Sequence, residues 1–295
     1  MRTLSIGMLC YAGLLSAQPQ TELRIVSEVN LVVVDVAVRD RQGKPLANLS
    51  KEQFRIFDNG RPKPLAAFAS EDSPVSIGLI VDCSGSMKPK AGHLLTAVSA
   101  LLSGSNPLDE TFLVTFNDSV VTGATRPPEE IRRTLYATPI QGRTALYDGI
   151  HQGLAQVAKG KWERKTLVVI SDGADNASLR SRREVLHEAM LQHATIYTIG
   201  ISDIREHGRD PGLLRELASL SGGAAYIDIP VTELVETCRQ IAREIRARYM
   251  VAFLASEAAR QEKRRIRIQV DVPGGARVSA RRAYLAMPPA SRTRP

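Results

Sequence analysis

One carboxylate and two hydroxyl side chains stand close together in the segment from Asp82 to Ser86, which directly follows the apolar run 77–81. The oxygens of Asp82, Ser84 and Ser86 are hard ligands of the kind that Mg²⁺ prefers in octahedral sites. A turn that leaves the end of a buried strand can direct these three side chains toward one point. Because the segment contains neither a histidine nor a second acid beside the first, its composition favours a site for a hard cation.

Two later segments carry oxygen ligands at comparable positions. Thr144 stands where a loop leads into a predicted helix, and Asp172 follows shortly after the fully apolar run 167–170. All three segments are predicted at the carboxyl ends of parallel strands or in the loops beside them, which is the edge where open α/β sheets bind ligands. We therefore expect one common site. The alternative is that Ser84, Ser86 and Asp172 serve only as helix caps.

The region from 76 to 246 alternates short apolar segments with helical ones, which indicates βαβ units and a parallel sheet. Helices are predicted near 90–103, 144–159, 178–192, 211–220 and 231–246. Strands are predicted at 76–82, 110–116, 165–171, 194–200 and 224–229. The predicted fold of this region is a doubly wound α/β unit with a mostly parallel sheet.

Segments with a β pattern flank this unit on both sides. The N-terminal flank has a strand at 31–39 and a hairpin around Asn59-Gly60, and the C-terminal flank has strands at 249–254, 265–272 and 278–285. Since an isolated hairpin is marginally stable, we expect both flanks to form one split β-sandwich into which the α/β unit is inserted.

The chain is therefore divided into five parts. The predicted boundaries are a signal peptide at 1–17, the first part of the sandwich at 18–74, the α/β domain at 75–246, the second part of the sandwich at 247–286, and a disordered tail at 287–295.

The N-terminus has the order of a secretory signal peptide. Arg2 precedes an apolar stretch, and Ser16-Ala17 precedes a polar segment, so cleavage is predicted near Ala17. The apolar stretch is shorter than the ~20 residues of a spanning helix, and no second candidate transmembrane segment exists. Export to the periplasm or the medium is the expectation, with a membrane anchor as its alternative.

The net charge is +8, and aromatic residues make up only 5% of the chain. No aromatics interleave the basic residues, so specific nucleic-acid binding is not indicated. Between 263 and 272 the charges mostly alternate with aliphatic residues, which is typical of a half-buried strand with a solvated face. Contact of this face with an anionic envelope surface is the alternative.

After signal cleavage, Cys83 and Cys238 would be the only cysteines. They could form a disulfide in an oxidising compartment, or each could be buried as a small apolar side chain. Neither has the spacing of a zinc ligand pair.

The five oxygen-bearing residues, in their order, resemble the von Willebrand factor type A (vWA) family, which includes integrin inserted domains. The resemblance covers about residues 75–246 and extends more loosely, outside that range, to a group of exported bacterial vWA-related proteins. In this family an Asp-x-Ser-x-Ser motif, a distant Thr and a distant Asp form the metal ion-dependent adhesion site (MIDAS). The corresponding residues here are Asp82, Ser84, Ser86, Thr144 and Asp172.

The resemblance implies a site for Mg²⁺ or Mn²⁺. Ser84, Ser86 and, in some conformations, Thr144 would contact the metal, whereas the two aspartates would act largely through bound water. A protein partner would supply a further carboxylate. The chain departs from the family at Cys83, inside the motif, and at Arg143, where a glycine is common; an inward-pointing Arg143 would repel the cation.

The function expected from the sequence is that of an exported, non-enzymatic binding or adhesion protein. No catalytic residue is predicted, because no nucleophile motif or phosphate-binding loop is present. Two alternatives remain: a metal-dependent hydrolase, and a structural scaffold with a vestigial metal site. Nothing in the sequence indicates the oligomeric state.

Overall fold

The structure, a computed structural model, describes residues 31–70, 72–202, 210–256, 258, 260–286 and 288. The predicted signal peptide lies outside these residues, as does the predicted tail apart from residue 288. No helix in the described part of the chain is long and apolar enough to cross a lipid bilayer.

Fourteen strands and six α-helices are described. The N-terminal strands are β1 (Leu31–Arg39), β2 (Phe54–Asp58), β3 (Arg61–Lys63) and β4 (Ala67–Ala69). The central elements are β5 (Ser76–Asp82), α1 (Ala91–Leu102), β6 (Glu110–Phe116), β7 (Val120–Thr122), α2 (Pro128–Ala137), α3 (Leu146–Ala158), β8 (Lys165–Ser171), α4 (Arg182–Leu191), β9 (Thr195–Ile201), α5 (Pro211–Ser221), β10 (Ala225–Ile229) and α6 (Leu234–Arg246). The C-terminal strands are β11 (Arg248–Leu254), β12 (Glu262–Val270), β13 (Arg277–Ser279) and β14 (Ala283–Ala286).

The central sheet has the strand order β10-β9-β8-β5-β6-β7. All of its neighbouring strands are parallel except β7, which is antiparallel to β6. Strands β5 and β9 are buried along their whole length, as expected for a sheet covered by helices on both faces. The predicted doubly wound, mostly parallel α/β fold is confirmed.

Three short elements were not predicted: β4, β7 and α2. Helix α2 buries only Ile131 and Leu135, so its apolar stripe is too narrow to produce a clear helical period. Strand β7 has three residues, and Val121 within it is 63% exposed. The formation of these elements depends more on contacts with neighbouring elements than on a hydrophobic pattern in their own sequences.

The flanking strands form two four-stranded sheets, in the orders β13-β1-β11-β4 and β14-β12-β2-β3. Each sheet contains strands from both ends of the chain, and the two share one apolar core. In that core the rings of Phe253 and Tyr284 meet edge to face with their centroids 5.8 Å apart. The predicted split β-sandwich is therefore confirmed.

The prediction of a single last strand at 278–285 is wrong. The structure divides it into β13, which pairs with β1, and β14, which pairs with β12 in the other sheet. The chain crosses between the sheets at residues 280–282, where Arg281 is buried.

A buried charge network joins the sandwich to the α/β unit. Arg164, which precedes β8, donates to Asp35 Oδ1 of β1 at 3.3 Å and to the carbonyl oxygen of Ile245 in α6 at 2.8 Å. Arg248 of β11 donates to the Tyr197 hydroxyl of β9 at 2.9 Å. Because these side chains are buried, the two parts of the chain share a polar network that water does not reach freely.

Candidate metal centre

Strand pairing brings the two predicted aspartates together. Asp82 is the last residue of β5, and Asp172 directly follows β8. These two strands are parallel neighbours, with Val81 opposite Ile170. Strands β6 and β8 lie on opposite sides of β5, so the site stands where the strand order switches.

Four of the five predicted residues belong to one hydrogen-bonded network. Asp82 Oδ1 accepts from the Ser84 backbone N–H at 2.9 Å, and the Ser84 and Ser86 hydroxyls are 3.1 Å apart. The Ser86 hydroxyl donates to Asp172 Oδ2 at 2.6 Å. Since Ser86 is half-buried whereas the other three are buried, the network opens to the surface on the Ser86 side.

The loop that carries Thr144 is bonded to the Asp82–Ser86 turn. Gly85 N–H donates to the carbonyl oxygen of Gly142 at 2.9 Å, and Gln141 N–H donates to that of Cys83 at 2.9 Å. Gly142 has a φ of +81°, which favours glycine, and a Cβ there would overlap the carboxylate of Asp118. Thr144 itself is 3% exposed and lies two residues after Gly142, whose carbonyl contacts the turn.

A second contact ties Thr144 to the loop after β8. The Thr144 backbone N–H donates to Asn176 Oδ1 at 2.8 Å, and Asn176 N–H donates to the Thr144 carbonyl at 2.9 Å. Asp175 Oδ1 accepts from Tyr147 N–H at 3.2 Å. Asp175 and Asn176 therefore have structural roles that join the two loops.

The helix-cap alternative does not describe these side chains. Ser84 stands at the N-terminal cap of the 3-10 turn Gly85–Lys90, yet within the described residues its side chain makes no capping bond. Helix α4, which follows Asp172 in the chain, is capped by Ser181. The hydroxyls and carboxylates are directed at each other and not at helix ends.

The two carboxylates are buried close together at a high electrostatic cost. Burial, followed by the nearby Asp172, raises the pKa of Asp82 to about 7, although hydrogen bonds from Ser171 and Ser84 act in the opposite direction. The Ser171 hydroxyl donates to Asp82 Oδ2 at 2.6 Å. A divalent cation between the two acids would remove this repulsion, so the donor set fits such an ion.

The same donor set limits which metals suit the site. The described residues contain no group of three or more His, Cys, Asp or Glu side chains placed to hold an ion. A metal bound here would therefore depend on hydroxyl and water oxygens, with the two carboxylates close by. Mg²⁺ and Mn²⁺ accept such oxygen ligands, whereas softer ions prefer nitrogen or sulfur.

Lys90 is a component that the sequence analysis missed. It ends the turn Gly85–Lys90, is 6% exposed, and places Nζ 3.3 Å from Asp172 Oδ2. Its ammonium supplies a positive charge at the edge of the site. The available signal was its position four residues after Ser86, about one helical turn along the chain.

Both departures from the family pattern have structural explanations. Arg143 does not point inward: its side chain is 68% exposed and lies 3.0 Å from Asp118 Oδ1, and this contact holds the pKa of Asp118 below its usual value. Cys83 is 1% exposed, and burial raises the pKa of its thiol to about 12. Cys83 is therefore a neutral core side chain, and both it and Cys238 are free thiols.

Together the fold and the site define a doubly wound α/β domain with a candidate cation site at its carboxyl edge. Residues 77–174 match the family model of the von Willebrand factor type A domain. Residues 77–174 therefore correspond to a vWA domain.

Several solved structures have a similar fold. The alignment with a von Willebrand factor type A protein from Catenulispora acidiphila spans 90% of this chain and 76% of that protein, with 12% identity and a TM-score of 0.53. Another structure is that of proximal thread matrix protein 1 of the mussel byssus, described with a zinc-occupied MIDAS motif. The alignment spans 62% of this chain and 47% of the byssal protein, with 17% identity and a TM-score of 0.51. The alignment with the pilus adhesin SpaC of Lactobacillus rhamnosus GG spans 85% of this chain and 48% of the adhesin, with 12% identity and a TM-score of 0.50.

A curated relative is an uncharacterised protein of Synechocystis sp., 28% identical over 182 residues. The alignment spans 57% of this chain and 41% of the relative. The chain thus matches less than half the length of that protein.

Proposed function

We propose that this protein binds a protein partner through a divalent cation, Mg²⁺ or Mn²⁺, held at the carboxyl edge of its vWA domain. The observation that carries the proposal is the placement of two buried carboxylates, Asp82 and Asp172, on one network with the hydroxyls of Ser84 and Ser86. A divalent cation would be stabilised by such a cluster of oxygens with a net negative charge.

The roles of the five residues follow the family resemblance. Ser84, Ser86 and Thr144 would supply direct ligands, and Asp82 and Asp172 would orient bound water and the hydroxyls. When bound, the cation would offer a coordination position to a carboxylate of the partner. Because the three hydroxyls are neutral, they leave much of the positive charge available for that carboxylate.

The surface around the site also favours a partner. Leu179 is 97% exposed, and its backbone N–H donates to Asp148 of α3, the helix that begins just after Thr144. This exposed apolar side chain is a candidate contact for the proposed partner. A role in protein interaction also accords with the pilus adhesin and the byssal thread protein that share the fold.

The proposal includes export and the absence of catalysis. Export is supported by the charged, apolar and small-residue order of residues 1–17. The absence of catalysis is supported by the lack of a nucleophile or phosphate-binding motif in the sequence. A panel of ester and phosphoester substrates would reveal a hydrolase, and turnover that requires both Mg²⁺ and Asp82 would replace this proposal.

The partner can be captured from the exported fraction of the source cells. Immobilised protein is expected to retain a partner in buffer with Mg²⁺ and to release it in EDTA, because the partner's carboxylate would depend on the cation. Asp82→Ala protein should capture little in either buffer. A partner retained equally by wild type in EDTA and by the variant would contradict metal-dependent docking.

Lys90→Met is expected to tighten Mg²⁺ binding by about tenfold or more, because an ammonium and a metal ion compete for Asp172 Oδ2 and repel each other. Titration calorimetry on both proteins measures the change. In the absence of metal the variant should be less stable than wild type, since Asp172 loses a buried cationic neighbour.

Lys88→Met is the matched control, because Lys88 lies in the same turn but is exposed. We expect its Mg²⁺ affinity to remain close to that of wild type. Equal affinities for the Lys90 variant and wild type would show that the ammonium does not compete with the metal.

A further inference from the structure

A second candidate site lies far from the sheet edge, in a groove between the vWA domain and the sandwich. Helices α4 and α5 form one wall, and strand β12 with residues 278–283 forms the other. The groove has a volume of about 570 Å³, which is in the range of small-molecule sites. The residues that line it include five cationic ones, Lys263, Arg265, Arg267, Arg281 and Arg282, and no acidic residue.

Strand β12 supplies three of these cations from one face. Lys263, Arg265 and Arg267 occupy alternate positions and are exposed, whereas Arg264 and Ile266 between them are buried. This confirms the strand pattern expected from the sequence, but the face is not simply solvated. It forms the wall of a concave surface shared with two helices.

The groove cations lack acidic partners, in contrast to their buried neighbour. Arg264 pairs with Asp58 at 2.9 Å and with Glu262 at 2.9 Å. None of the five groove cations forms an ion pair with a residue among those described. No acid therefore neutralises their charge, although the Arg267 guanidinium also lies over the ring of Phe57, 4.3 Å from its centroid.

Arg281 provides the strongest evidence for an anion site, because a charged side chain that is only 3% exposed requires compensation by its neighbours or by a ligand. Its Nη2 donates to the Gln192 carbonyl at 2.8 Å, and its Nη1 donates to His193 Nδ1 at 3.0 Å. Its Nε is buried without a hydrogen-bond partner among the described residues. Burial lowers the pKa of Arg281 to about 10, so the side chain stays charged at neutral pH.

A purely structural role accounts for only part of this arrangement. The carbonyls that Arg281 contacts lie at and just after the C-terminal end of α4, where a cation is favoured by the helix dipole. That role leaves Nε without an acceptor and does not explain four further cations around the same groove. Elsewhere at the junction the buried Arg164 pairs with Asp35, whereas Arg281 has only neutral partners.

We propose that the groove binds a small ligand that carries phosphoryl groups. A phosphoryl group presents several charged oxygens, and guanidinium groups bind such oxygens in pairs of parallel hydrogen bonds. Arg265, Arg267 and Arg282 would meet the ligand at the mouth, and Arg281 would meet it at the base. The phosphoryl group comes either from a soluble molecule or from a lipid headgroup.

The test uses the full chain and inorganic pyrophosphate as the probe, in metal-free buffer at about 0.15 M salt, which screens non-specific attraction. Calorimetry is expected to show saturable binding with one site per chain. The double variant Arg265→Gln/Arg282→Gln should bind at least about tenfold more weakly, because it removes two charged donors from the groove. Both side chains are exposed, so the variant should fold.

The double variant Arg41→Gln/Arg61→Gln is the matched control. It removes the same charge from exposed arginines that do not line the groove, and its affinity should equal that of wild type. Equal weakening by both double variants, or no saturable binding by wild type to any phosphoryl probe, would overturn the proposal.

A second arm separates the two sources of the phosphoryl group. Wild type is sedimented with phosphatidylcholine vesicles that contain or lack phosphatidic acid. Binding to phosphatidic acid that the groove variant loses and the control variant keeps identifies a lipid headgroup. Pyrophosphate binding with no vesicle binding identifies a soluble ligand. Because no divalent metal is present, these outcomes are independent of the proposed metal site.

Discussion

Asp82→Asn is expected to weaken Mg²⁺ binding by about 100-fold, the upper end of the range for groups that orient metal ligands. The carboxylate of Asp82 accepts hydrogen bonds from the Ser84 backbone and the Ser171 hydroxyl, so it holds the turn that presents Ser84 and Ser86. An asparagine keeps the shape of the side chain and removes its charge. Titration calorimetry with Mg²⁺ and Mn²⁺ measures the loss.

The stability of the metal-free variant separates lost binding from misfolding. Because burial and Asp172 raise the pKa of Asp82 to about 7, the ionised form is destabilised in the metal-free protein. Replacing it with a neutral group should leave the free energy of unfolding unchanged or increase it at pH 8, where wild-type Asp82 is largely ionised. A variant that is stable but fails to bind metal would support the site.

Asp271→Asn provides the control, since Asp271 is an exposed acid of the sandwich and its loss changes the net charge equally. Its Mg²⁺ affinity should match that of wild type. If the Asp82 variant also bound like wild type, the predicted site would be wrong. If wild type itself bound neither Mg²⁺ nor Mn²⁺, the vestigial scaffold alternative would be favoured.

Arg164→Met should lower the free energy of unfolding by about 3–5 kcal/mol, the cost of breaking a buried ion pair from one side. Arg164 is 2% exposed and pairs with Asp35, which is 7% exposed. It also donates to the carbonyl oxygens of Ser73 and Ile245. The substitution therefore leaves a carboxylate and two carbonyls without this donor at the junction of the two domains.

Urea denaturation of the full chain measures this change. Arg55→Met is the matched control, because Arg55 pairs with Asp271 at 2.7 Å while both side chains are mostly exposed, at 65% and 58%. An exposed ion pair contributes about 0–1 kcal/mol. Similar losses for the two variants would mean that the buried network adds little beyond a surface pair.

Much of the fold could be predicted because its signals are local. The five parallel strands are continuous apolar runs, and their predicted positions agree with β5, β6, β8, β9 and β10 to within a residue or so. The flanking β segments could be assigned to one sandwich because a hairpin is unstable alone. Helix α2 and strand β7 escaped prediction because their burial depends on contacts that the local pattern does not contain.

The candidate site was predictable for a related reason. Asp82 and Asp172 each stand at or just after the end of an apolar strand, and the carboxyl ends of parallel strands meet at one edge. Metal binding stays a prediction, but the structure places Ser86 in contact with Asp172 and ties the Thr144 loop to the same turn. Lys90 was missed, because its position one helical turn after Ser86 does not by itself show that its ammonium turns inward.

The sequence by itself determined the order of the strands along the chain, the residue types at their ends and the positions of the charges. Only the tertiary structure decided which distant charges meet. It paired Arg164 with Asp35, turned Arg143 away toward Asp118, and buried Arg281 in a groove without an acid. Periodicity indicates which face of an element is buried, whereas the partners of a side chain elsewhere in the sequence are decided by how the elements pack.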